Sequence, residues 1–377
     1  MNKKVGIITM HKVLNSGSAL QAWALWLTIK SLGYDCKIID YQYPNSDHLI
    51  SKEKIQRVNK LKFFFLRLKF FILYRSKIQK KRFQKFWKES WLETIHYNNR
   101  DMILKNPPLF DIYVTGSDQV WNPQYTLGDS VFMCGFIKDK KKISYASSFA
   151  QSSIPDNLKN HYKEHLKEYS SIGVRESYGV EIVKELIGKD AKIVCDPTLL
   201  LKKGDYIELA NRSKINITTP YLLAYILNYS YDPFPKIQEV IDRIAYEKNL
   251  KVIYLHANSV DNYHLGNSIT SAGPYEFIKL FLNASFIVTS SFHGTAFALN
   301  FEKPFYTVVP SGITRDNRII SLLEMVKASK RAITIDQDLD SWIDDEINYS
   351  IISPLLEKYR HESMEFLKES LIKEYEG

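Results

Sequence analysis

Short apolar runs alternate with helical patterns along most of this chain, the layout expected of parallel α/β sheets. Residues 4–9 form a β-rich apolar run, and 18–32 follow with Leu20, Trp23, Ala24, Leu27 and Leu32 at helical spacing. An extended run resumes at 36–40 after Gly33, so the opening reads as a β-α-β unit. Runs at 111–115, 142–147 and 171–174 predict buried strands, and 177–186 predicts a helix. From Asp196 to Asn216 the pattern relaxes into a polar stretch, and a second alternation starts at Pro220. Its predicted strands are 221–226, 251–256, 286–289 and 305–309; its predicted helices are 234–248, 274–283, 295–300 and 318–326. Residues 353–374 predict a last helix, with Ser353 as N-cap and Pro354 at the first helical position, folding back over the first domain. The economical architecture is an α/β fold of two Rossmann-like domains facing a central cleft, with ligands at the carboxyl ends of the strands. The expected division is 1–205, 206–340 and a C-terminal helical segment at 341–377.

The 377 residues are 45% hydrophobic and 25% charged, which suits about two folded domains and excludes disordered and collagen-like classes. Cys36, Cys134 and Cys195 lie far apart without zinc spacing and read as buried reduced thiols. The first apolar run is too short for a signal peptide, and no stretch reaches the roughly 18 to 20 apolar residues of a spanning helix, so a cytoplasmic location is expected. The net charge of +9 is unevenly spread. Residues 52–88 hold 14 Lys or Arg against Glu53 alone, which leaves the remainder of the chain net negative. Aromatics interleave with these cations from Phe63 to Tyr74, near Lys62, Arg67, Lys69, Arg75 and Lys77. The mixture suits an anionic membrane surface, or a helix pair packed on the domain with its charges in water. No nucleic-acid signature accompanies it, and no nucleic-acid partner is expected.

Several strand ends carry polar clusters. The loop Asn15-Ser16-Gly17-Ser18 runs into a helix whose amides could hold an anion, with Ser16 and Ser18 also ordinary caps. Neither a Gly-x-Gly-x-x-Gly nor a Walker A pattern is present, so no nucleotide cofactor is expected. Gly116-Ser117-Asp118-Gln119 follows a predicted strand, where Asp118 can orient a hydroxyl or act as a base, or simply cap a turn. Arg175 can clamp a carboxylate or phosphate, or pair with Glu176. Asp196-Pro197 reads as structural. Ser290-Ser291-Phe292-His293-Gly294 places a histidine at a helix N-terminus, which suits proton transfer beside an anion; His11, His256 and His264 are weaker candidates. Arg315 and Arg318 add cations near a helix start. Asp336, Asp338 and Asp340 alternate as a metal signature does, but their position suits helix capping, and no metal site is expected.

Together the Asn15-to-Ala22 segment, Gly116-Ser117-Asp118-Gln119, Val174-Arg175-Glu176, Cys195-Asp196-Pro197-Thr198, Ser290-to-Gly294 and Lys303-Pro304-Phe305 resemble the polysaccharide pyruvyltransferase family. The resemblance implies a GT-B-like fold and transfer of pyruvate from phosphoenolpyruvate onto two sugar hydroxyls as a ketal, in bacterial surface polysaccharide biosynthesis. It implies no nucleotide and no metal. The family often has Ser-Arg-Leu-His around its histidine, and that arginine helps hold the donor; here Ser291 and Phe292 stand in those places. The implied roles are then His293 and Asp118 in proton transfer and hydroxyl orientation. Arg175, Arg318, Arg315, Ser290, Ser291, Gly294 and Gly17 are expected to hold the donor, and Asn15, Ser16 and Gln119 the acceptor. A sugar carried on a lipid diphosphate would give the 52–88 insertion a purpose, at the inner face of the cytoplasmic membrane. A nucleotide-sugar glycosyltransferase and a non-catalytic scaffold of polysaccharide assembly are the rival readings.

Overall fold

The computed structural model describes residues 3–42, 64–228, 231–256, 267–312, 318–339 and 346–373, with the backbone alone for 64–76 and 256. Two six-stranded sheets organise it, and every strand pairing is parallel. The first contains β1 (Lys4–Ile8), β2 (Asp35–Ile38), β3 (Ile112–Thr115), β4 (Lys141–Ser147), β5 (Ser171–Val174) and β6 (Lys192–Ile193), in the order β2-β1-β3-β4-β5-β6. The second contains β7 (Tyr221–Ile226), β8 (Lys251–His256), β9 (Ser268–Ile269), β10 (Phe286–Thr289), β11 (Phe305–Val309) and β12 (Ala332–Thr334), in the order β12-β11-β10-β7-β8-β9. The fold is therefore α/β with two parallel sheets, as the alternation along the chain predicts.

Central strands such as β3, β7, β10 and β11 are buried along their whole length, because helices cover both faces of a parallel sheet. The two- and three-residue edge strands β6, β9 and β12 are too short to show as apolar runs, and the sequence reading misses them.

Helices fill the connections: α1 (Ser16–Ser31), α2 (Phe64–Ser90), α3 (Arg100–Lys105), α4 (Pro123–Thr126), α5 (Asp156–Leu166), α6 (Ser177–Ile187), α7 (Pro197–Leu200) and α8 (Lys203–Asn211) in the first part. Then come α9 (Lys236–Glu247), α10 (Pro274–Asn283), α11 (Phe292–Asn300), α12 (Arg318–Met325) and α13 (Tyr349–Ile372). Helix α1 is buried nearly all round because it lies between the halves, touching both α7 and α10. One apolar cluster runs from Val5 and Leu20 through Tyr206, Phe277 and Phe297 to Leu367, so the two sheets share a core.

Three expectations need correction. The stretch 196–216 is not a loose linker: it forms α7 and α8, and Leu199, Tyr206 and Leu209 are buried. Their apolar positions are too few per turn to show a period, and the 205/206 boundary falls inside α8. The last helix starts a turn earlier than expected, capped by Asn348, whose side chain accepts from the Ser350 amide at 3.0 Å. Pro354 thus lies inside the helix, on an exposed face. Asp336 sits in a turn after β12 and accepts the Thr334 hydroxyl at 2.6 Å; no helix begins within 335–339, and Asp340 lies outside the described residues.

The described part of the basic insertion is one helix, α2, rather than a pair, and residues 52–63 lie outside the described residues. Its second half is a strap. Phe86 is fully buried, edge-on to Trp91 at 5.6 Å and to Tyr275 at 5.3 Å, and Arg82 donates to the Ser271 carbonyl at 2.9 Å. Helix α13 is the second strap and returns to the first sheet as expected: Ser363 Oγ accepts the Cys195 amide at 2.9 Å, and Lys141 donates to the Leu371 carbonyl at 3.0 Å. All three cysteines are free and buried. Because Phe86 joins both halves through aromatic contacts, Phe86→Ala is expected to cost about 3–5 kcal/mol. Denaturant and thermal melts check this, and an unchanged midpoint would show that α2 is only draped on the surface.

Candidate functional site

The strand orders place two switch points against each other. In the first sheet the order reverses between β1 and β3; in the second it reverses between β7 and β10. Loops leaving such strands diverge and open a crevice at the carboxyl ends of the strands. The first turn of α1, after β1, delivers Gly17 and Ser18, the β3 loop Ser117 and Asp118, and the first turn of α11, after β10, His293. Arg175 and Asp196 come from the ends of β5 and β6.

Asp196 lies at the centre, 1% exposed. Its Oδ1 accepts the Thr198 amide at 3.0 Å and the Thr198 hydroxyl at 2.8 Å, which caps α7. Its Oδ2 accepts from Arg175 Nη1 at 2.9 Å and from Ser117 Oγ at 2.9 Å, and stands 3.6 Å from His293 Nε2. Burial alone would raise its carboxyl pKa; His293, the Arg175 guanidinium and the Thr198 amide outweigh that and hold it below the usual carboxylate range. The capping role expected for Asp196 is real, but one oxygen performs it while the other faces the site.

Arg175 is 3% exposed and spends one nitrogen on Asp196. Its Nη2 lies 3.8 Å from Asp118 Oδ1, and neither Nε nor Nη2 has a hydrogen-bond partner among the described residues. The guanidinium packs on the Phe292 ring at 4.5 Å, and that of Arg318 reaches the same ring at 5.9 Å, both within cation–π range. Glu176 Oε1 accepts from Ser148 Oγ and the amides of Phe149 and Ala150 at 2.9–3.1 Å, tying the β4 loop to the end of β5.

Asp118 adopts a left-handed backbone with φ 73°, so the chain turns sharply just after β3. Its Oδ2 accepts from Ser18 Oγ and its Oδ1 accepts the Gln119 amide at 2.9 Å. His293, the second residue of α11, is 7% exposed, and its Nε2 has no hydrogen-bond partner among the described residues. Gly17 presses on its ring: a Cβ there would stand 2.3 Å from His293 Nδ1, so only glycine lets α1 approach α11 this closely.

The remaining expected residues hold the frame. Asn15 caps α1, and its Oδ1 takes the amides of Gly17 at 2.9 Å and Ser18 at 3.2 Å, so these amides are already committed. Ser291 Oγ likewise takes the Gly294 amide at 3.3 Å and caps α11. Ser290 Oγ donates to the Leu227 carbonyl at 2.7 Å and accepts the Leu227 amide, joining the ends of β7 and β10. Ser16 is buried in the first turn of α1, and Gln119 accepts from Asn122 at 2.7 Å. Arg318 is buried at the start of α12, while Arg315 and His264 lie outside the described residues. The sequence reading passed over Ser117, Asp196 and Phe292 as ligands of the site. For Ser117 and Phe292 the signal was available, since each stands beside a singled-out residue, Asp118 or His293; Asp196 was read as a structural cap only.

These facing parallel sheets, with a buried Arg–Asp–His cluster at their strand ends, define a two-part α/β protein with its polar site between the halves. The chain belongs to the polysaccharide pyruvyl transferase family, whose model matches residues 15–312. It is similar in structure to UDP-GlcNAc 2-epimerase from Methanocaldococcus jannaschii (12% identity, 99% of this chain and 94% of that one, TM-score 0.46). It is also similar to S. aureus MnaA with UDP (10% identity, 98% and 97%, TM-score 0.49) and to Arabidopsis thaliana UGT89C1 with UDP-L-rhamnose (12% identity, 99% and 100%, TM-score 0.48). No curated protein matched the chain. No helix among the described residues is long and apolar enough to cross a membrane.

Removing the Asp196 charge leaves Arg175 buried without its counter-ion, so Asp196→Asn is expected to cost roughly 3–5 kcal/mol at neutral pH. A carboxyl pKa lowered by folding stabilises fully above the unfolded value of about 4, and its contribution is lost as pH falls toward the folded value. The gap between wild type and Asp196→Asn in thermal midpoint should therefore narrow as the pH is lowered from 7 to 3. A gap independent of pH would mean that the carboxylate charge does not hold this site together.

Proposed function

We propose that the chain transfers pyruvate from phosphoenolpyruvate onto two hydroxyls of a sugar, forming a cyclic ketal and releasing phosphate. The observation that carries this reading is the pair of unspent donors beside Asp196: Arg175 keeps Nε and Nη2 without hydrogen-bond partners, and His293 keeps Nε2. A buried guanidinium with two nitrogens lacking hydrogen bonds matches a carboxylate or phosphate, and Arg318 contacts the same Phe292 ring as Arg175. A proton on His293 would lie 3.6 Å from the Asp196 carboxylate and beside a bound anionic donor.

The chemistry needs that proton. C3 of the enol must gain one as a sugar hydroxyl adds to C2; phosphate then leaves, and the second hydroxyl closes the ketal. The two hydroxyls release two protons, one replacing the proton given to C3 and one leaving with phosphate. His293 supplies and recovers a proton, and an ionised Asp196 offers its imidazolium a counter-charge at 3.6 Å. Asp118, held by Ser18, orients or deprotonates a hydroxyl. Phe292 stands where the family often has leucine, and Ser291 where it often has arginine; in this reading Arg318, which contacts Phe292, takes the place of that charge. No nucleotide or metal is required for these steps.

Calorimetric titration with phosphoenolpyruvate, beside a panel of nucleotide sugars, tests the reading. Saturable binding of phosphoenolpyruvate is expected in the wild type, and Arg175→Lys should abolish it because a single ammonium cannot replace the guanidinium's fixed fork. Binding of a nucleotide sugar in its place would assign a different donor. With an acceptor mixture, His293→Ala should lower phosphate release by about 10²–10⁴-fold while circular dichroism stays unchanged; full turnover in that variant removes His293 from the mechanism.

The acceptor in this reading is a sugar of a growing surface polysaccharide, carried on a lipid diphosphate, with residues 52–88 meeting the inner membrane surface. Support comes from their charge and aromatic content, each basic residue contributing about 1 kcal/mol near anionic lipid. The chain should float with anionic vesicles and be released by raised salt. Failure to float, or flotation that ignores salt and lipid charge, would leave the insertion as a packing element alone.

A further inference from the structure

The loop after β1 carries a second buried polar cluster, away from the Arg175–Asp196–His293 group. His11 is 1% exposed, and its Nδ1 lies 3.1 Å from the Thr9 carbonyl. A carbonyl can only accept, so Nδ1 carries the hydrogen, and in the neutral ring Nε2 holds the lone pair. That lone pair faces Asp40 Oδ1 at 3.4 Å and Glu93 Oε1 at 3.7 Å. Neither His11 Nε2 nor Asp40 Oδ1 makes a hydrogen bond with a described residue, although both atoms are buried.

The outer side of the cluster is well served. Lys12 Nζ lies 2.8 Å from both Asp40 Oδ2 and Glu93 Oε2, and His96 Nδ1 lies 2.9 Å from Asp40 Oδ2. Trp91 donates to Glu93 Oε1 at 2.7 Å, which leaves that oxygen a further lone pair. The inner side is left with one nitrogen and two carboxylate oxygens, all within 4.8 Å of one another. Lys12 supplies one ammonium against the two carboxylates, and it sits on their outer oxygens, so the oxygens facing His11 are open to a second cation.

We propose that His11, Asp40 and Glu93 bind one divalent cation of the zinc type, with Lys12 and His96 as outer partners. His11 Nε2 lies 3.4 Å from Asp40 Oδ1 and 3.7 Å from Glu93 Oε1, separations that an ion with bonds of about 2.1 Å can bridge. A histidine that gives its other ring hydrogen to a backbone carbonyl is oriented as metal-bound histidines are. A cavity of about 60 Å³, lined by His11, Lys12, Asp40, Tyr41 and His96 among others, borders the cluster and leaves room for a water ligand. One imidazole with two carboxylates suits zinc better than magnesium, which prefers oxygen alone. The ion would pin the loop that leads into α1. Thr9, at the base of that loop, donates to the Ser117 carbonyl at 2.8 Å and accepts from Gln21 at 3.0 Å, so the pin acts on the frame of the transferase site.

The test uses the tag-free full chain, stripped with a chelator and titrated by calorimetry with Zn²⁺, with Mg²⁺ as control, and by visible absorption with Co²⁺. One Zn²⁺ per chain, visible bands typical of low-coordinate Co²⁺, and a raised thermal midpoint on Zn²⁺ addition are expected. His11→Ala and Glu93→Gln should each weaken Zn²⁺ binding by at least about tenfold, as even the loss of an outer partner of a metal can do. Glu93→Gln keeps the shape of a half-exposed side chain and carries the test if His11→Ala fails to fold. The proposal is overturned by the absence of saturable binding or by affinity that both variants leave intact. It is equally overturned if NMR shows His11 as an imidazolium paired with Asp40 in a chain that takes up no Zn²⁺.

Discussion

A carboxylate shut away from water has to be matched group by group, and Asp196 is matched from four directions. Ser117 comes from the end of β3, Arg175 from the end of β5, Thr198 from the helix that Asp196 itself caps, and His293 from the second sheet. Losing any of these partners would leave charge or lone pairs unmet in a low-dielectric interior, where such a deficit is far more expensive than on the surface. The same demand brings α11 close to α1, and the missing Cβ of Gly17 makes room for the histidine ring.

The rest of the architecture keeps those partners in place. Glu176 binds the β4 loop, and Arg175, its neighbour in sequence, binds Asp196. Asn15 and Ser291 cap α1 and α11, committing the first amides of each helix to their own side chains. Helix α13 fastens the backbone one residue before Asp196 through Ser363, and α2 holds the two halves with Phe86. Among the described residues of this cluster, the side-chain nitrogens left without a hydrogen bond belong to Arg175 and His293.

Much of this was legible one residue at a time. His293, Arg175 and Asp118 stand at the ends of buried strands in the sequence and do so in the structure, because a strand that ends in polar residues delivers them to the edge of the sheet. Asn15, Ser290 and Ser291 share those positions, yet they spend their polar groups on neighbouring backbone. Residue type and spacing are the same for a cap and for a ligand; only the direction of the side chain separates them. Asp196 is both at once, with Oδ1 on the cap and Oδ2 on the site.

By itself the sequence determined the two runs of parallel strands, most of the helices and the strand-end clusters, since apolar period and turn chemistry act between residues a few positions apart. Tertiary structure alone decided which clusters meet. Ser18 and Asp118 are 100 residues apart and Ser117 and Asp196 are 79 apart, yet each pair is hydrogen-bonded. It also decided that three short edge strands form, that the polar stretch after Asp196 folds into helices that bury Leu199, Tyr206 and Leu209, and that His11, Asp40 and Glu93 share one pocket of charge. Such contacts depend on strand order and on packing between sheets, which bring distant segments together through cooperative burial and leave no local period along the chain.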